Sequence, residues 1–330
     1  MSQYDIVALG NALVDKEFEV TEEFLAKHNI EKGFMTLQET DEHVTLIEDL
    51  HQEFGLRNRA GGGSAANTIV TAAQFGSKTF YCCKVANDDL GDFYRRDLDA
   101  ASVDNSLSKV KVEGMTGLSL IMVTPDADRT MCTHLGITGT FSDAQLDLNA
   151  IQNAKYLYIE GHLLYQPPAV EAILKAKAIA QESGVKVAVT FSDPAVVNYA
   201  RENLEKVLGD GVDLIFCNQD EATDWNGDLE KGIESILTRT KSLVLTRGES
   251  GATVYDNGEI TNIEPFKVNA VDTTGAGDTF AGAFLYGITQ GLSVAQSGKL
   301  ASRTAAECVS SFGARLTERT QSIILQEMNF

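Results

Sequence analysis

The second half of the chain alternates short apolar segments with longer helical ones, and this pattern restricts the fold more than any other feature. Residues 168–183 have the apolar spacing of a helix. Short apolar runs typical of strands follow at residues 186–191 and 214–217. Strands joined by helical connections form a mostly parallel sheet covered on both faces. The sequence therefore predicts an α/β fold with a doubly wound, mostly parallel sheet, in which ligands bind at the carboxyl ends of the strands.

The segment 110–136 interrupts this alternation. Its β-branched residues lie on both sides of Pro125-Asp126-Ala127-Asp128, which predicts a hairpin. We expect a small β-sheet lid, inserted in a single domain that spans residues 1–330. The lid is expected to comprise residues 14–20, 33–38 and 110–136. Two helices, at 277–290 and 294–311, are expected to close the chain.

Composition excludes several classes of partner. The chain has 330 residues, 43% of them hydrophobic, and a formal charge of -20. Such a charge argues against nucleic acid or an anionic membrane as the main partner. No segment approaches the roughly 20 apolar residues of a membrane span, and no signal-peptide pattern is present, so we expect a cytoplasmic protein. The five cysteines include no Cys-x-x-Cys pair and are expected to be reduced core thiols.

Residues 272–280, Asp-Thr-Thr-Gly-Ala-Gly-Asp-Thr-Phe, combine a glycine loop, a carboxylate and the start of a predicted helix. Gly275 and Gly277 allow the backbone to approach a ligand closely. The first turn of the helix offers unpaired N–H groups to an anion. Asp278 would repel that anion unless it accepts a proton, which suggests a general base beside a developing negative charge. The alternative is an ordinary turn with Asp278 as a helix N-cap.

Further polar or glycine-rich clusters lie near predicted strand ends. Asn11 and Asp15 are suited to binding paired hydroxyl groups, although they also fit a turn followed by a strand. The glycines at 61–63 precede a predicted helix that carries Asn67, and they allow a ligand to approach or simply form a tight connection.

Asn218 and Glu221 share one face of a helical turn, where they can hold hydrated Mg²⁺ or form a capping box. The loop at 246–252 contains Gly248 and Gly251 and follows a strand; a plain hairpin connection is its alternative. The sequence contains no P-loop, no Gly-x-Gly-x-x-Gly fingerprint, no Gly-x-Ser-x-Gly elbow and no His-Glu-x-x-His motif.

In their order along the chain, these clusters resemble the PfkB carbohydrate kinase, or ribokinase, superfamily. Residues 60–68 (AGGGSAANT) resemble its first signature and residues 272–284 (DTTGAGDTFAGAF) its highly specific second signature. The resemblance covers nearly the whole chain. The features most similar to the adenosine kinase branch are residues 10–15 (GNALVD), 24–35, 191–194 (FSDP) and 213–222 (DLIFCNQDEA).

The resemblance implies roles for individual residues. Asp278 would take the proton from a primary hydroxyl, and the N–H groups of Gly275, Ala276 and Gly277 would form the anion hole for the transferred γ-phosphoryl. Arg129, on the lid, would neutralise phosphate on closure. The residues implied to bind the ribose hydroxyls are Asn11, Asp15, Gly62, Gly63 and Asn67, and Phe191 would lie near the base.

The cofactors implied by the resemblance are ATP and Mg²⁺, with K⁺ as a candidate. Asn218 and Glu221 would organise Mg²⁺ and the phosphates through water. The residues implied to lie along ATP are Thr246, Gly248 and Gly251. The residues implied for a monovalent cation are Asp272, Thr274, Ser311 and Gly313.

The resemblance implies an ATP-dependent kinase that phosphorylates the 5′-hydroxyl of a nucleoside, adenosine first, as in purine salvage. The sequence departs from the adenosine enzymes in two respects: it shows no evident aromatic sandwich for a purine, and Ala65 and Ala66 replace bulkier polar residues. The alternative is a sugar or sugar-acid kinase for ribose, fructose or 2-keto-3-deoxygluconate. A catalytically silent binding protein is a hypothesis from another class. Both a monomer and a homodimer remain open.

Overall fold

The computed structural model describes residues 3–33, 35–107, 112–126, 128–317 and 320–328. Residues 34, 110, 111 and 127 of the predicted lid lie outside the described residues. The strands are β1 (Tyr4–Leu9), β2 (Leu13–Glu19), β3 (Met35–Leu37), β4 (Leu56–Gly62), β5 (Thr79–Cys82), β6 (Val103–Asn105), β7 (Gly117–Val123), β8 (Arg129–His134), β9 (Ala154–Glu160), β10 (Lys186–Thr190), β11 (Val212–Asn218), β12 (Thr240–Thr246), β13 (Ala252–Asp256) and β14 (Glu259–Ile263).

The helices alternate with these strands. They are α1 (Glu22–Lys27), α2 (Thr40–Glu53), α3 (Ser64–Phe75), α4 (Asp89–Ala100), α5 (Leu148–Gln152), α6 (Pro167–Glu182), α7 (Pro194–Tyr199), α8 (Arg201–Leu208), α9 (Gln219–Asn226), α10 (Leu229–Leu237), α11 (Ala276–Thr289), α12 (Val294–Val309) and α13 (Thr320–Met328). Within the described ranges, no helix combines the length and apolar character needed to cross a membrane.

A nine-stranded sheet forms the centre of the molecule, in the order β14-β13-β12-β11-β10-β9-β1-β5-β6. The strands from β12 to β6 are parallel, and β13 and β14 form an antiparallel edge. Alternate residues of β1 face opposite sides: Ile6 contributes to one hydrophobic core and Val7 to the other. Because both faces are covered, central strands such as β1 and β9 are largely apolar, and the predicted α/β class is confirmed.

A second, five-stranded sheet has the order β3-β8-β7-β2-β4. Strand β2 lies between β7 and β4, and Asp15, its third residue, pairs with Ser119 and Ala60. The expected segments 14–20, 33–38 and 112–136 contribute to this sheet, but the prediction omitted β4. The sequence of β4, Leu-Arg-Asn-Arg-Ala-Gly-Gly, lacks apolar alternation because it is an edge strand whose first four residues are exposed.

The C-terminal region corrects the expectation of two closing helices. After α11 and α12 the chain turns back and forms α13, in which Ile324 and Met328 are buried. Few apolar residues of α13 repeat at helical spacing, so the sequence pattern was too weak to predict it. Residues 310–317, which follow α12, carry Ala314 and Arg315, and Arg315 contacts Asn67 on α3 and Asp97 on α4.

Candidate active site

A cavity of about 520 Å³ lies between the carboxyl ends of the large sheet and one face of the small sheet. The large sheet contributes residues that end or follow β1, β9, β10, β11 and β12, namely Asn11, Glu160, Ser192, Asn218 and Thr246. The small sheet contributes alternate residues of β2, β3, β7 and β8. The third wall is the loop and first turn of α11, residues 273–278, with Ala314. The cavity therefore lies where parallel sheets bind ligands.

The glycine loop before α11 depends on a left-handed residue at Gly275, the helix N-cap, with φ of +75°. A Cβ at this position would lie 2.6 Å from the Cα, Cβ and carbonyl oxygen of Ala314. Only glycine therefore allows the loop to turn here against the C-terminal segment. Gly275, Ala276 and Gly277 line the cavity at the N-terminus of α11, the end of a helix that favours an anion. In this conformation the Ala276 N–H donates to the Thr273 carbonyl oxygen at 3.3 Å.

Asp278 lies in the first turn of α11 and lines the cavity. Its Oδ1 accepts a hydrogen bond from Ser64 Oγ at 2.6 Å, and its Oδ2 accepts one from Asn67 Nδ2 at 3.1 Å. Burial raises the pKa of Asp278 to about 6, against the hydrogen bonds from Ser64 and Asn67 and the positive charge of Arg315, which lower it. A carboxylate with a pKa near 6 is ionised at neutral pH and is basic enough to accept a proton in a transition state.

The glycines of the first signature bring α3 against Asn11 and Asp15. A Cβ on Gly62 would lie 2.3 Å from Asp15 Oδ2, and a Cβ on Gly63, whose φ is +105°, would lie 2.3 Å from the Asn11 carbonyl oxygen. Burial raises the pKa of Asp15 to about 7, although the charges of Arg315 and Arg129 lower it. Asn11, Asp15, Gly63 and Asn67 line the cavity, whereas Gly62 does not.

Sequence reasoning missed Glu160, which ends β9 and is buried beside the cavity. Its Oε2 accepts from the Ala65 N–H at 2.8 Å and its Oε1 from Asn11 Nδ2 at 3.1 Å, so it joins the end of β1 to the start of α3. Burial raises the pKa of Glu160 to about 7, against the hydrogen bonds it accepts. The signal was available, because Glu160 follows a predicted strand as Asn11 and Asn218 do.

Asn218 and Glu221 form the capping box of α9. The Asn218 N–H donates to Glu221 Oε2 at 2.9 Å, and the Glu221 N–H donates to Asn218 Oδ1 at 2.8 Å. Burial raises the pKa of Glu221 to about 7. Both side chains also line the cavity, so capping does not prevent a ligand-binding role. No group of three or more His, Cys, Asp or Glu side chains that could hold a metal ion occurs in the described part of the chain. Asn218 and Glu221 carry amide and carboxylate oxygens, the type of ligand that Mg²⁺ takes, often through water.

Of the three residues expected to lie along ATP, one lines the cavity and two do not. Thr246, at the end of β12, lines it. Gly248 and Gly251 lie beyond it, in the short 3₁₀ turn Gly248–Ser250 and its cap, before β13. A Cβ on Gly251 would lie 2.1 Å from the Ile263 carbonyl oxygen, so this glycine is required by the packing of the hairpin.

Arg129 pairs with Asp272 and thereby joins the small sheet to the start of the glycine loop. Asp272 is buried and also accepts from the Thr274 N–H at 3.0 Å and the Gly313 N–H at 2.8 Å. The hydroxyl of Ser311 donates to the Cys308 carbonyl oxygen at 3.4 Å. In this conformation Arg129 therefore neutralises the carboxylate expected to hold a monovalent cation, and it lies outside the cavity lining.

Phe191 does not reach the cavity, which corrects its expected position near a base. It is fully buried and stacks on Trp225 with ring centroids 5.2 Å apart. Strand β10 ends at Thr190, so the side chain of Phe191 points into the core beneath α7 and α9. Among the residues that the structure describes, the aromatic rings lining the cavity are those of His162, Tyr165 and Phe216.

Comparison with known proteins assigns the family. A model described as the pfkB family of carbohydrate kinases matches residues 34–321. The chain belongs to this family. It is similar to the 5-dehydro-2-deoxygluconokinase of Clostridium beijerinckii, with 29% identity over 266 residues, which cover 76% of this chain and 78% of that protein.

Two solved structures resemble this pfkB-family kinase over its whole length. A probable sugar kinase from Rhizobium etli has 32% identity and a TM-score of 0.91, and the match covers 100% of this chain and 99% of the other. The adenosine kinase from Sinorhizobium meliloti has 31% identity and a TM-score of 0.89, over 99% of each chain. The kinase is thus a phosphotransferase with an alcohol group as acceptor, and its relatives include both nucleoside and sugar kinases.

Proposed function

We propose that this kinase transfers the γ-phosphoryl group of ATP to the 5′-hydroxyl of a nucleoside, with adenosine as the first candidate. One observation carries the choice of acceptor: the cavity combines a polar floor with an apolar wall. A nucleoside presents the same division, since its ribose carries a diol and its base presents a flat and weakly polar face.

The apolar wall is built by the small sheet. Its cavity-lining side chains include the apolar Leu13, Met35, Leu37 and Met131, with Leu135 directly after β8. The same sheet also places the polar Asp15, Ser119 and Thr133 on the cavity. Met35 and Leu37 are 46% and 55% exposed, which is unusual for large apolar side chains beside a cavity. A base packed on them would remove this surface from water. A free sugar, with hydroxyl groups around its ring, would leave these side chains without an apolar partner.

Polar groups line other parts of the cavity: Asn11 follows β1, Asn67 lies on α3, and Asp15 lies on β2 two residues from Leu13. In the proposal these three side chains would bind the ribose hydroxyls, and Asp278 lies next to Asn67. In the proposed reaction Asp278 takes the proton of the 5′-hydroxyl as its oxygen forms a bond to the γ-phosphorus. The bond from that phosphorus to ADP breaks, and ADP leaves with the electron pair.

Charge stabilisation would come from the N-terminus of α11. The N–H groups of Gly275, Ala276 and Gly277 would donate hydrogen bonds to the oxygens of the transferred phosphoryl group. Mg²⁺, held through water by Glu221, would neutralise phosphate charge when bound. Asp278 must be ionised to act, so we expect kcat/KM to fall as the pH drops through its pKa of about 6.

Arg129 pairs with Asp272 in this conformation, so K⁺ could bind there only after Arg129 has moved away. The proposed K⁺ site would then comprise Asp272, Thr274, Ser311 and Gly313. The same movement would free Arg129 to neutralise phosphate when the small sheet closes as a lid. Closure of this kind would exclude water, which would otherwise compete with the acceptor hydroxyl.

The acceptor is tested by an assay of ADP release with Mg-ATP, with and without K⁺. The panel comprises adenosine, inosine, guanosine, ribose, fructose, 2-keto-3-deoxygluconate and 5-dehydro-2-deoxygluconate. We expect turnover with a nucleoside at micromolar KM and little with any free sugar or sugar acid. Turnover only with a sugar or sugar acid would overturn the nucleoside proposal and leave the kinase assignment intact.

The apolar wall makes a second prediction, in which Leu37→Ser raises the KM for the nucleoside. Full burial of a leucine side chain contributes about 1.5–3 kcal/mol, so partial burial by a base corresponds to a roughly tenfold rise in KM. Leu56→Ser on β4 is the matched control, because Leu56 is 43% exposed on the same sheet but does not line the cavity. An equal KM in both variants would contradict a base on this wall.

A further inference from the structure

Four side chains from four separate segments form a continuous chain of contacts that ends at Asp278. Asp97 lies on α4, Arg315 on the segment after α12, and Asn67 on α3. Arg315 donates from Nη1 to Asp97 Oδ2 and from Nε to Asn67 Oδ1 at 3.1 Å. Asn67 in turn donates from Nδ2 to Asp278 Oδ2 at 3.1 Å. None of the motifs considered above accounts for Arg315 or Asp97.

We propose that Arg315 is a positioning residue for phosphoryl transfer: it fixes the orientation of the Asn67 amide, which then holds Asp278 in place, and Asp97 anchors Arg315. The inference rests on the proposed role of Asp278 as the base. Its chemical reason is the asymmetry of an amide group. Arginine has only donors, so the amide oxygen must face Arg315 and the amide nitrogen must face the carboxylate. The reversed amide would place two acceptors against each other at Asp278.

The first signature is shaped around this pair. A Cβ on Gly61 would lie 2.3 Å from Asp97 Oδ2 and 3.1 Å from Arg315 Nη2. Gly61 therefore provides the space that the guanidinium and its carboxylate occupy. This explains why three glycines, at 61–63, precede α3: the second and third accommodate Asp15 and Asn11, and the first accommodates Asp97 and Arg315.

Arg315 also sets the electrostatic environment of Asp278, since its charge lowers the pKa of that carboxyl against the effect of burial. Five other ionisable groups interact with Asp278 from the neighbouring elements: Asp15 on β2, Tyr158 and Glu160 on β9, Glu221 on α9 and Cys308 on α12. None of these carries a positive charge. Loss of Arg315 is therefore expected to favour protonated Asp278.

The test is the pH dependence of kcat at saturating ATP and acceptor, with whichever acceptor the panel identifies. In Arg315→Met we expect kcat to fall on the order of 10- to 100-fold, because the base is no longer held in reach of the hydroxyl. The acidic limb of the profile should move up by about one pH unit, since an opposite charge near a carboxyl is lost. Arg303→Met is the matched control: the Arg303 and Arg315 side chains are 16% and 15% exposed and both are paired with carboxylates, but Arg303 lies on α12 beside Glu307 and Glu327.

Two further variants separate charge from orientation. Arg315→Lys keeps the charge but cannot bridge Asn67 and Asp97 as a fork, so kcat should fall while the acidic limb stays in place. Gly61→Ala keeps all four side chains but displaces the Asp97–Arg315 pair, and it should also lower kcat. If urea unfolding shows that Arg315→Met does not fold, Arg315→Lys and Gly61→Ala still test the proposal.

A purely structural role makes a different prediction. Folded Arg315 variants would then show wild-type kcat and an unmoved acidic limb, with only a lower free energy of unfolding, and this result would overturn the inference. Failure of the proposed role of Asp278 as the base is distinguishable, because Asp278→Asn would then retain its kcat, and failure of the nucleoside proposal is seen separately in the acceptor panel. A large loss in Asp278→Asn together with unaffected Arg315 variants would reject the positioning role alone.

Discussion

Asp278→Asn is expected to lose most of the turnover of this kinase while it still binds ATP and the acceptor. The change removes a base of pKa about 6 and preserves the size of the side chain. Removing a general base typically lowers the rate by ~10²–10⁴. The measurement is kcat from ADP release at saturating substrates, with binding followed by calorimetry.

Asp15→Asn is the informative comparison for this variant, because it makes the same chemical change in the same cavity at a residue proposed to bind ribose hydroxyls. We expect Asp15→Asn to raise the KM of the acceptor more than it lowers kcat. Near-normal kcat in Asp278→Asn would reject Asp278 as the base. A similar pattern in both variants would mean that the two carboxylates do not divide binding and catalysis as proposed.

Gly275→Ala is expected to have the next largest effect, a fall in kcat of roughly 10²–10³, the cost of losing a donor of an anion hole. The added Cβ would lie 2.6 Å from the backbone and side chain of Ala314, and φ of +75° is strained for alanine. The loop must therefore shift, and the N–H groups at the start of α11 shift with it. ADP release at saturating substrates measures the loss.

Gly76→Ala controls for backbone strain alone. Gly76 has a φ of +108° at the C-cap of α3, and a Cβ there would meet no atom within 4 Å. We expect this variant to lose about 1 kcal/mol of stability in urea unfolding with unchanged kcat. If Gly275→Ala also kept its kcat, the N-terminus of α11 would not be the site of charge stabilisation.

Local sequence patterns predicted most elements of the fold. The predicted strand 186–191 and the predicted helix 168–183 agree to within one residue with β10 (Lys186–Thr190) and α6 (Pro167–Glu182), because an uninterrupted apolar run and apolar residues at helical spacing are strong signals. The edge strand β4 and helix α13 were missed, since an exposed edge and a weakly amphipathic helix have little periodicity. Their positions depend on what they pack against.

In the candidate site, too, some residues were predicted from local sequence and others were not. The second signature, with Gly275 and Asp278, is one continuous stretch whose spacing predicts an anion site and a base, and the family match confirms the kinase class. Phe191, by contrast, was expected beside a base but stacks on Trp225 in the core. A side chain at a strand end can point to either side, and the sequence does not contain that direction.

The sequence by itself determined the α/β class, the alternation of strands and helices in the second half of the chain, and the short segments that carry Asp15, Asn67, Glu221 and Asp278. Each of these depends on neighbours within a few residues, such as apolar periodicity and glycines before a helix. Only the tertiary structure decided that Arg315 lies 3.1 Å from Asn67, although the two are 248 residues apart, and that Arg129 pairs with Asp272. Contacts between distant segments arise from the packing of whole elements, which local pattern does not specify.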